Sequence, residues 1–538
     1  MRILVALSLM MLLNSCAYYF GNRWQNSYRH IPATDHPTFN ERPQRPTDAQ
    51  LGHHPLVLEQ AAQPFESFGQ KQKTGSPRVM LAKLLARQQL KEVNELLLSL
   101  VPWGNSGTSG ALNPKGDYDF TTILLSAILH RFDGDTAVLW ERTSNHIANV
   151  LLIEEGGRPH TRTPRTMAIM KDTENHILMT NISQYLKNQW LLAHGSTDPS
   201  HNNRTNGLEA FLTDLLNEFL ITGAYEFNAK PYEGYTVSAL LVLQSYAASE
   251  ELRLLATRSL DMLAYEYMMT SDDFRKSSPF RRRMERANGT SLTDNALTGM
   301  MKAWHSELTN GNFSDHTIAH NRHQAFSAIV FNYRPPTAIW SLPRKEQTVL
   351  VGHGRGSAPE VYGTGNGFML CSGGFQRGEA SQIVARPIVL MLNDGATELD
   401  SVVHIRPIGK WQQWNTTGVF GRMAVGKGAV LVPQYWKALH SEGSWAIYRH
   451  ADVTAVVYST PEMGLIYLPT SDATEPQSVL RSIASANTDV SSSFRTQEGQ
   501  TIQFRLNAPK GKWVITEVSG QQPLETRTDR WPRLRTIP

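Results

Sequence analysis

Four short stretches of the chain hold residue types that move protons or bind anions. In "KDTENHILMTNISQYLKNQW", residues 171–190, Glu174, Asn175 and His176 stand together where an amphipathic run begins. In "AYEFNAKPYEGYTVSALL", Tyr225, Glu226, Asn228, Tyr232 and Tyr235 precede or open a second apolar run. Downstream, "FRKSSPFRRRMERANG" carries Arg281, Arg282 and Arg283. Upstream, "PWGNSGTSGALNPKGDYDF" carries Trp103, Asn113, Lys115, Asp117 and Asp119. An imidazole with an ordinary pKa of about 6.5 can take a proton, and a phenol near about 10 can give one. A guanidinium or a side-chain amide can neutralise a carboxylate. Each stretch alone also has a plainer reading. An Asn-His pair at a helix start serves capping or solvation, paired tyrosines serve packing, and an arginine triplet is a solvated loop. Only their ordered combination argues for chemistry.

The elements that would position these groups fall into two halves. From residue 76 onward, apolar residues recur at three- and four-residue intervals in eight segments. These begin with "PRVMLAKLLARQQLKEVNELLLSL" and end with "LTDNALTGMMKAWHSEL". Short polar links join most of them, as in stacked helical hairpins. No repeat unit recurs, which argues against a regular solenoid. Near His320 the pattern changes to short β-branched and aromatic runs separated by glycine, proline and asparagine. "TAIWSL", "QTVLVGH", "QIVARPIVLML", "SWAIYRH", "TAVVYST", "GLIYLP" and "TIQFRL" are examples, and they predict a large antiparallel β-sandwich. Helix-entering polar loops converge on one face if the hairpins close in a ring.

The first residues, "MRILVALSLMMLLNSC", place an apolar run after a single arginine, too short to span a bilayer. "LNSC" resembles a bacterial lipoprotein cleavage box, which implies that Cys16 becomes lipidated and anchors the chain to a membrane. Ala17 at the next position implies the outer membrane, and a plain secretory signal cut nearby is the alternative. Residues 16–75 then read as a proline-rich tether, in which His53 and His54 are surface residues, with its later part able to pack on the surface. With Cys371 the one other cysteine, no intrachain disulfide or cysteine metal site is expected. The formal charge of +4 is too small to argue for a nucleic-acid partner. "GHGRGSAPEVYGTGNG" lacks the ending of a phosphate-binding loop, so His353 and Arg355 belong to β-domain loops. Trp411 and Trp414 could stack on sugars or pack within a sheet.

Taken in order, the "TENH" helix, "EFNAKPYEGY", the arginine-rich loop and the all-β second half resemble the heparinase- and alginate-lyase-like proteins. The resemblance covers most of residues 76–538 in architecture. It implies an incomplete α/α toroid at 76–322 and an antiparallel β-sandwich at 323–538, behind a signal at 1–15 and the tether. It further implies cleavage of an acidic polysaccharide by β-elimination, with no cofactor. Removing the proton at C5 of a uronide requires that the adjacent carboxylate be neutralised, that a base take the proton and that an acid protonate the leaving oxygen. By this resemblance Asn175 meets the carboxylate, His176 is base or positioning group, and Tyr235 is acid and possible base, with Tyr232 competing. Glu174 or Glu226 would orient the imidazole. Asn113, Lys115, Asn228, Arg281, Arg282 and Arg283 would bind substrate. The lyase pattern often has an arginine shortly before its tyrosine, where this chain offers Asn228 and Lys230. Two other readings stand beside it. One is a glycoside hydrolase using Glu174 with Glu226 or Asp117 with Asp119, and the other is a glycan-binding lipoprotein without catalysis.

Overall fold

A computed structural model describes residues 38–39, 41–65, 75–102, 117–162, 172–224, 227–229, 232–276, 291–293, 295–352, 359–373, 387–406, 415–470, 475–509, 512–523 and 531–538. Helices fill the N-terminal half and antiparallel sheets follow. The helices are α1 (Asp48–Gly52), α2 (Pro55–Ala61), α3 (Gly75–Leu85), α4 (Leu90–Ser99), α5 (Asp119–Arg131), α6 (Glu141–His146) and α7 (Glu174–Ala193). Then come α8 (Leu208–Thr222), α9 (Tyr232–Tyr246), α10 (Glu250–Met269), α11 (Ala296–Leu308), α12 (His316–His320) and α13 (Arg322–Val330). Among these, α5, α7 and α9 pack side by side; α5 and α9 carry an almost unbroken series of buried, mainly apolar residues, whereas α7 mixes buried apolar with buried polar ones. A helix apolar nearly all round is one enclosed by other helices.

Two expectations need correction here. Residues 41–62 are part of the folded body, although the sequence suggests a tether. Thr47 forms a capping box with Gln50, and Leu51, Leu56, Val57 and Ala61 are buried. Pro55 stands at the first turn of α2, where its missing N–H costs no helix bond. Pro55, which looks like a breaker in this stretch, therefore starts a helix. At the other boundary, the helical layer runs past residue 322 through α13, and "TAIWSL" forms a 3₁₀ turn at Thr337–Ser341. Pro336 precedes that turn, and Leu342 and Pro343 follow it.

The first strands are β1 (Gln347–Val351), β2 (Glu360–Gly365), β3 (Phe368–Gly373), β4 (Ile388–Leu392) and β5 (Val403–Ile405). They join β8 (Val430–Leu431) and β16 (Leu534–Ile537) in a seven-stranded antiparallel sheet ordered β16-β1-β2-β3-β4-β5-β8. A six-stranded sheet combines β6 (Val419–Phe420), β7 (Met423–Lys427), β9 (Lys437–Glu442), β10 (Trp445–His450), β11 (Val453–Ser459) and β12 (Met463–Tyr467). Its order is β6-β7-β12-β11-β10-β9. A three-stranded sheet, β13 (Ser493–Arg495), β14 (Thr501–Phe504) and β15 (Ile515–Val518), closes the set, with one helix, α14 (Pro476–Ala486), before it.

Strands β2, β3 and β4 are buried at every position. The two-residue alternation of a strand explains how. Val349, Val351, Tyr362, Met369, Cys371, Val389 and Met391 share a core with the helices. Leu350, Val361, Leu370, Ile388 and Leu390 share the other core with the six-stranded sheet. One sheet thus lies between helices and a second sheet, and its strands read as continuous apolar runs for that reason. Cys371 is the buried thiol expected of it.

Candidate functional site

The first turns of α5, α7 and α9 meet. Asp119 opens α5, His176 is the third residue of α7, and Tyr235 is the fourth of α9. The Nδ1 of His176 lies 2.7 Å from Oδ2 of Asp119. Phe120, beside Asp119, takes His176 and Tyr235 edge-on, with ring centroids 5.2 and 4.5 Å away. Tyr232 touches Tyr235 at 6.4 Å on the same helix turn. Three helix N-termini here direct positive partial charge toward one place, which favours an anionic ligand.

Capping does not account for Asn175. The N-cap of α7 is Thr173, which makes no side-chain cap. Its hydroxyl donates to Oδ1 of Asn175, and the Asn175 Nδ2 has no partner among the described residues although the residue is fully buried. A buried amide donor with nothing to donate to is costly, so such a group calls for an explanation.

His176 is held as an imidazolium. Burial opposes its charge, but Asp119, by charge and by hydrogen bond, outweighs this, and Asp172 and Asp117 add to it. The result is an imidazole pushed up to about 9. Between the two roles considered for His176, this favours a charged positioning group over a neutral base. Asp172 is in turn bonded to Nε2 of His160 at 2.9 Å. Burial works against its charge, yet the bond from His160 and the charges of His176 and His160 hold its carboxyl below the usual range.

Tyr235 also lines a small cavity of about 60 Å³ deeper between the helices, together with Arg78, Met179, Ser238, His323 and Gln324. Arg78 is buried, and desolvation brings its guanidinium down to about 10 despite the opposing influence of Tyr235. His323 keeps part of its surface open. Desolvation of its ring, then the charges of Arg78 and Arg322, hold it below its ordinary range and therefore neutral at pH 7. Sequence reading missed both residues. Arg78 in "SPRVML" looks like the polar face of an amphipathic helix, and only the packing of α3 against α5 turns that face inward.

One expectation fails on the geometry, and one role goes to a residue not considered for it. Asn228 spends both ends of its amide within the protein and has none left for substrate: its Nδ2 donates to Oε2 of Glu360 on β2 at 3.0 Å, and its Oδ1 accepts from Asn295 at 3.4 Å. At Nδ1 of the imidazole stands Asp119, which orients the ring. Glu174 is half-buried at the first position of α7. The same bond engages one member of the Asp117–Asp119 pair considered for hydrolysis. Cys16, Trp103, Asn113, Lys115, Tyr225, Glu226, Lys230, Arg281, Arg282, Arg283, His353, Arg355, Trp411 and Trp414 lie outside the described residues. The arginine-rich segment begins after Lys276, whose backbone N–H donates to Leu292 O at 2.7 Å. No group of three or more metal-ligating side chains occurs among the described residues.

No protein-family model matches the chain, and no curated protein matches it either. The site therefore has to be judged on its own residues.

Proposed function

We propose that this protein is a lyase that cleaves a uronate-containing polysaccharide by β-elimination at the cell envelope. The observation that carries the reading is the meeting of the Asp119–His176 pair with Tyr235 around Phe120. A charged imidazole and a phenol in one place supply the three functions that elimination needs, the first neutralising the carboxylate and the second acting as base and acid. The imidazolium, its Nδ1–H given to Asp119, offers its other N–H to the uronate carboxylate. Asn175, with its unused amide end, is the second donor. Together they stabilise the enolate that forms as the C5 proton leaves.

Tyr235 then serves as base and acid in turn. As phenolate it takes the proton from C5, and the electron pair of that bond moves into the carboxylate-stabilised enolate. The pair returns to form the C4–C5 double bond as the bond to the glycosidic oxygen breaks. The phenol hands the same proton to that oxygen, so no proton is gained or lost. Arg78 is the positive charge that favours the phenolate. Tyr235 is preferred over Tyr232 because it touches Phe120 and lines the cavity with Arg78.

The architecture fits this reading. Helices α3, α5, α7, α9 and α13 all contribute to the cavity beneath Tyr235, as the inner helices of a toroid would. The shared core of the seven- and six-stranded sheets suits a sandwich. Lipidation of Cys16 would hold the enzyme on the membrane that faces its polymer. The test is a panel of acidic polysaccharides (alginate, hyaluronan, chondroitin, heparan and polygalacturonate) followed by ultraviolet absorbance. Elimination leaves an absorbing unsaturated uronide. Shortened polymer without absorbance would point to a hydrolase, and binding without shortening to a non-catalytic glycan-binding protein.

A further inference from the structure

The buried polar face of α7 is unusual for a helix enclosed by others. Asn181, Gln184, Lys187 and Asn188 are all at most 4 % exposed. Their partners are the backbone of the extended segment 152–160, which runs along α7 in the opposite direction. Lys187 Nζ donates to Leu152 O at 2.8 Å, and Asn188 both accepts from Gly156 N and donates to Gly156 O at 2.9 Å. Gln184 Nε2 reaches the carbonyls of Glu155, Gly156 and Arg158. Asn181 finishes the series: its Oδ1 accepts from His160 N at 2.8 Å, and its Nδ2 donates to His160 O at 2.7 Å.

Such a ladder satisfies a non-helical strap that would otherwise bury bare peptide groups. It also carries His160 to the end of α7 where His176 stands. Asp172 N donates to Thr161 O at 3.0 Å, and Asp172 Oδ2 takes the His160 ring at Nε2, so both backbone and ring are fixed. The ring remains 27 % exposed, and among the described residues nothing bonds its Nδ1. A side chain held on three sides with one polar atom left toward solvent is pre-organised for a ligand.

We infer that His160 is a further substrate-contacting residue, whose Nδ1 meets a hydroxyl or carboxylate oxygen of the sugar unit next to the one that loses its proton. The inference rests on the lyase reading. Asp172, bonded to His160 and acting on His176 through its charge, links the two imidazoles. The strap exists to deliver the second of them. His160 selects substrate and takes no part in proton transfer.

The experiment uses the full chain and the best polymer from the panel above. On the inactive Tyr235→Phe background, His160→Ala should weaken binding of oligosaccharides of that polymer about tenfold, the size of one hydrogen bond to a charged group. On the active background, KM should rise by a similar factor while kcat falls far less. His160→Gln, which restores a polar atom, should recover part of the affinity. A carboxyl-reduced probe tells which oxygen is met: if His160→Ala then has no effect, the contact is to carboxylate, and if the tenfold loss persists, it is to a hydroxyl. Unchanged binding of the native probe in His160→Ala overturns the inference. So does an equal loss of kcat and kcat/KM in His160→Ala together with lost thermal stability, not recovered by His160→Gln, since that describes a strap with a structural role alone. If wild-type protein releases no unsaturated product from any polymer, the lyase reading itself falls, which is a separate outcome.

Discussion

Asn175 and Asn228 are both fully buried, and both stand within a few residues of the proposed acid and positioning groups. They differ in what their amides touch. Asn228, in a left-handed conformation at φ 55° that asparagine tolerates better than most residues, uses both ends. It bonds Glu360, Glu360 accepts from Tyr362, and Asn295 reaches both Asn228 and Glu233. This is a joint between β2 and the start of α9. Asn175 uses its oxygen and leaves its nitrogen. Burial alone therefore does not separate a structural amide from a functional one. What sets these two apart is how much of their hydrogen-bonding capacity is already spent.

Substitutions can break or sharpen this contrast. The largest effect is expected at Tyr235, on which both proton steps depend. Tyr235→Phe should lower kcat by about 10³ or more with polymer affinity within about twofold. Next comes the Asp119–His176 pair: His176→Ala should cost about 10² in kcat/KM, the scale of losing a donor to a developing anion.

The pair also sets a pH limit. The folded-state value of His176 lies above its ordinary one, so its stabilisation is complete below about 6.5 and is lost as pH rises through about 9. The high-pH limb of kcat/KM should fall near that upper value in the wild type. In Asp119→Asn it should move down toward the ordinary histidine range.

The two asparagines should then separate cleanly. Asn175→Ala should reduce turnover by about tenfold or more while costing less thermal stability than Asn228→Ala, since only its Oδ1 end is bonded, to the neighbouring Thr173 hydroxyl. Asn228→Ala should destabilise by about 1–3 kcal/mol in denaturant melts, because it removes a buried hydrogen bond to the Glu360 carboxylate and the one from Asn295. Equal stability losses in both variants would erase the distinction. The smallest effect belongs to Tyr232→Phe, expected within about twofold of wild type in turnover.

Much of this was legible in the sequence. The three-four spacing located α5, α7, α9, α10 and α11, and the glycine-bounded β-branched runs located β1, β4, β10, β11 and β12 in the two larger sheets and β14 in the third. "TENH" and "YEGY" were visible as unusual helix starts, and packing does bring them together. What could not be read was pairing across distance. Asp119 meets His176 from another helix, and Asn228 meets Glu360 from another layer. The residue types at those positions carry no local sign of a partner. Arg78 and His160 escaped for related reasons: one looks like a solvated helix residue, the other like part of a loop. The helices at residues 48–61 were hidden by prolines and histidines that act as caps, as His54 does by accepting from Leu56 N at 3.2 Å.

Product chemistry tests the central claim most directly. On the polymer that the wild type shortens fastest, mass spectrometry of the released fragments should find new non-reducing ends one water lighter than their saturated counterparts, rising in step with ultraviolet absorbance. Fragments that carry the added water, with no absorbance, would contradict β-elimination at the Asp119–His176–Tyr235 site.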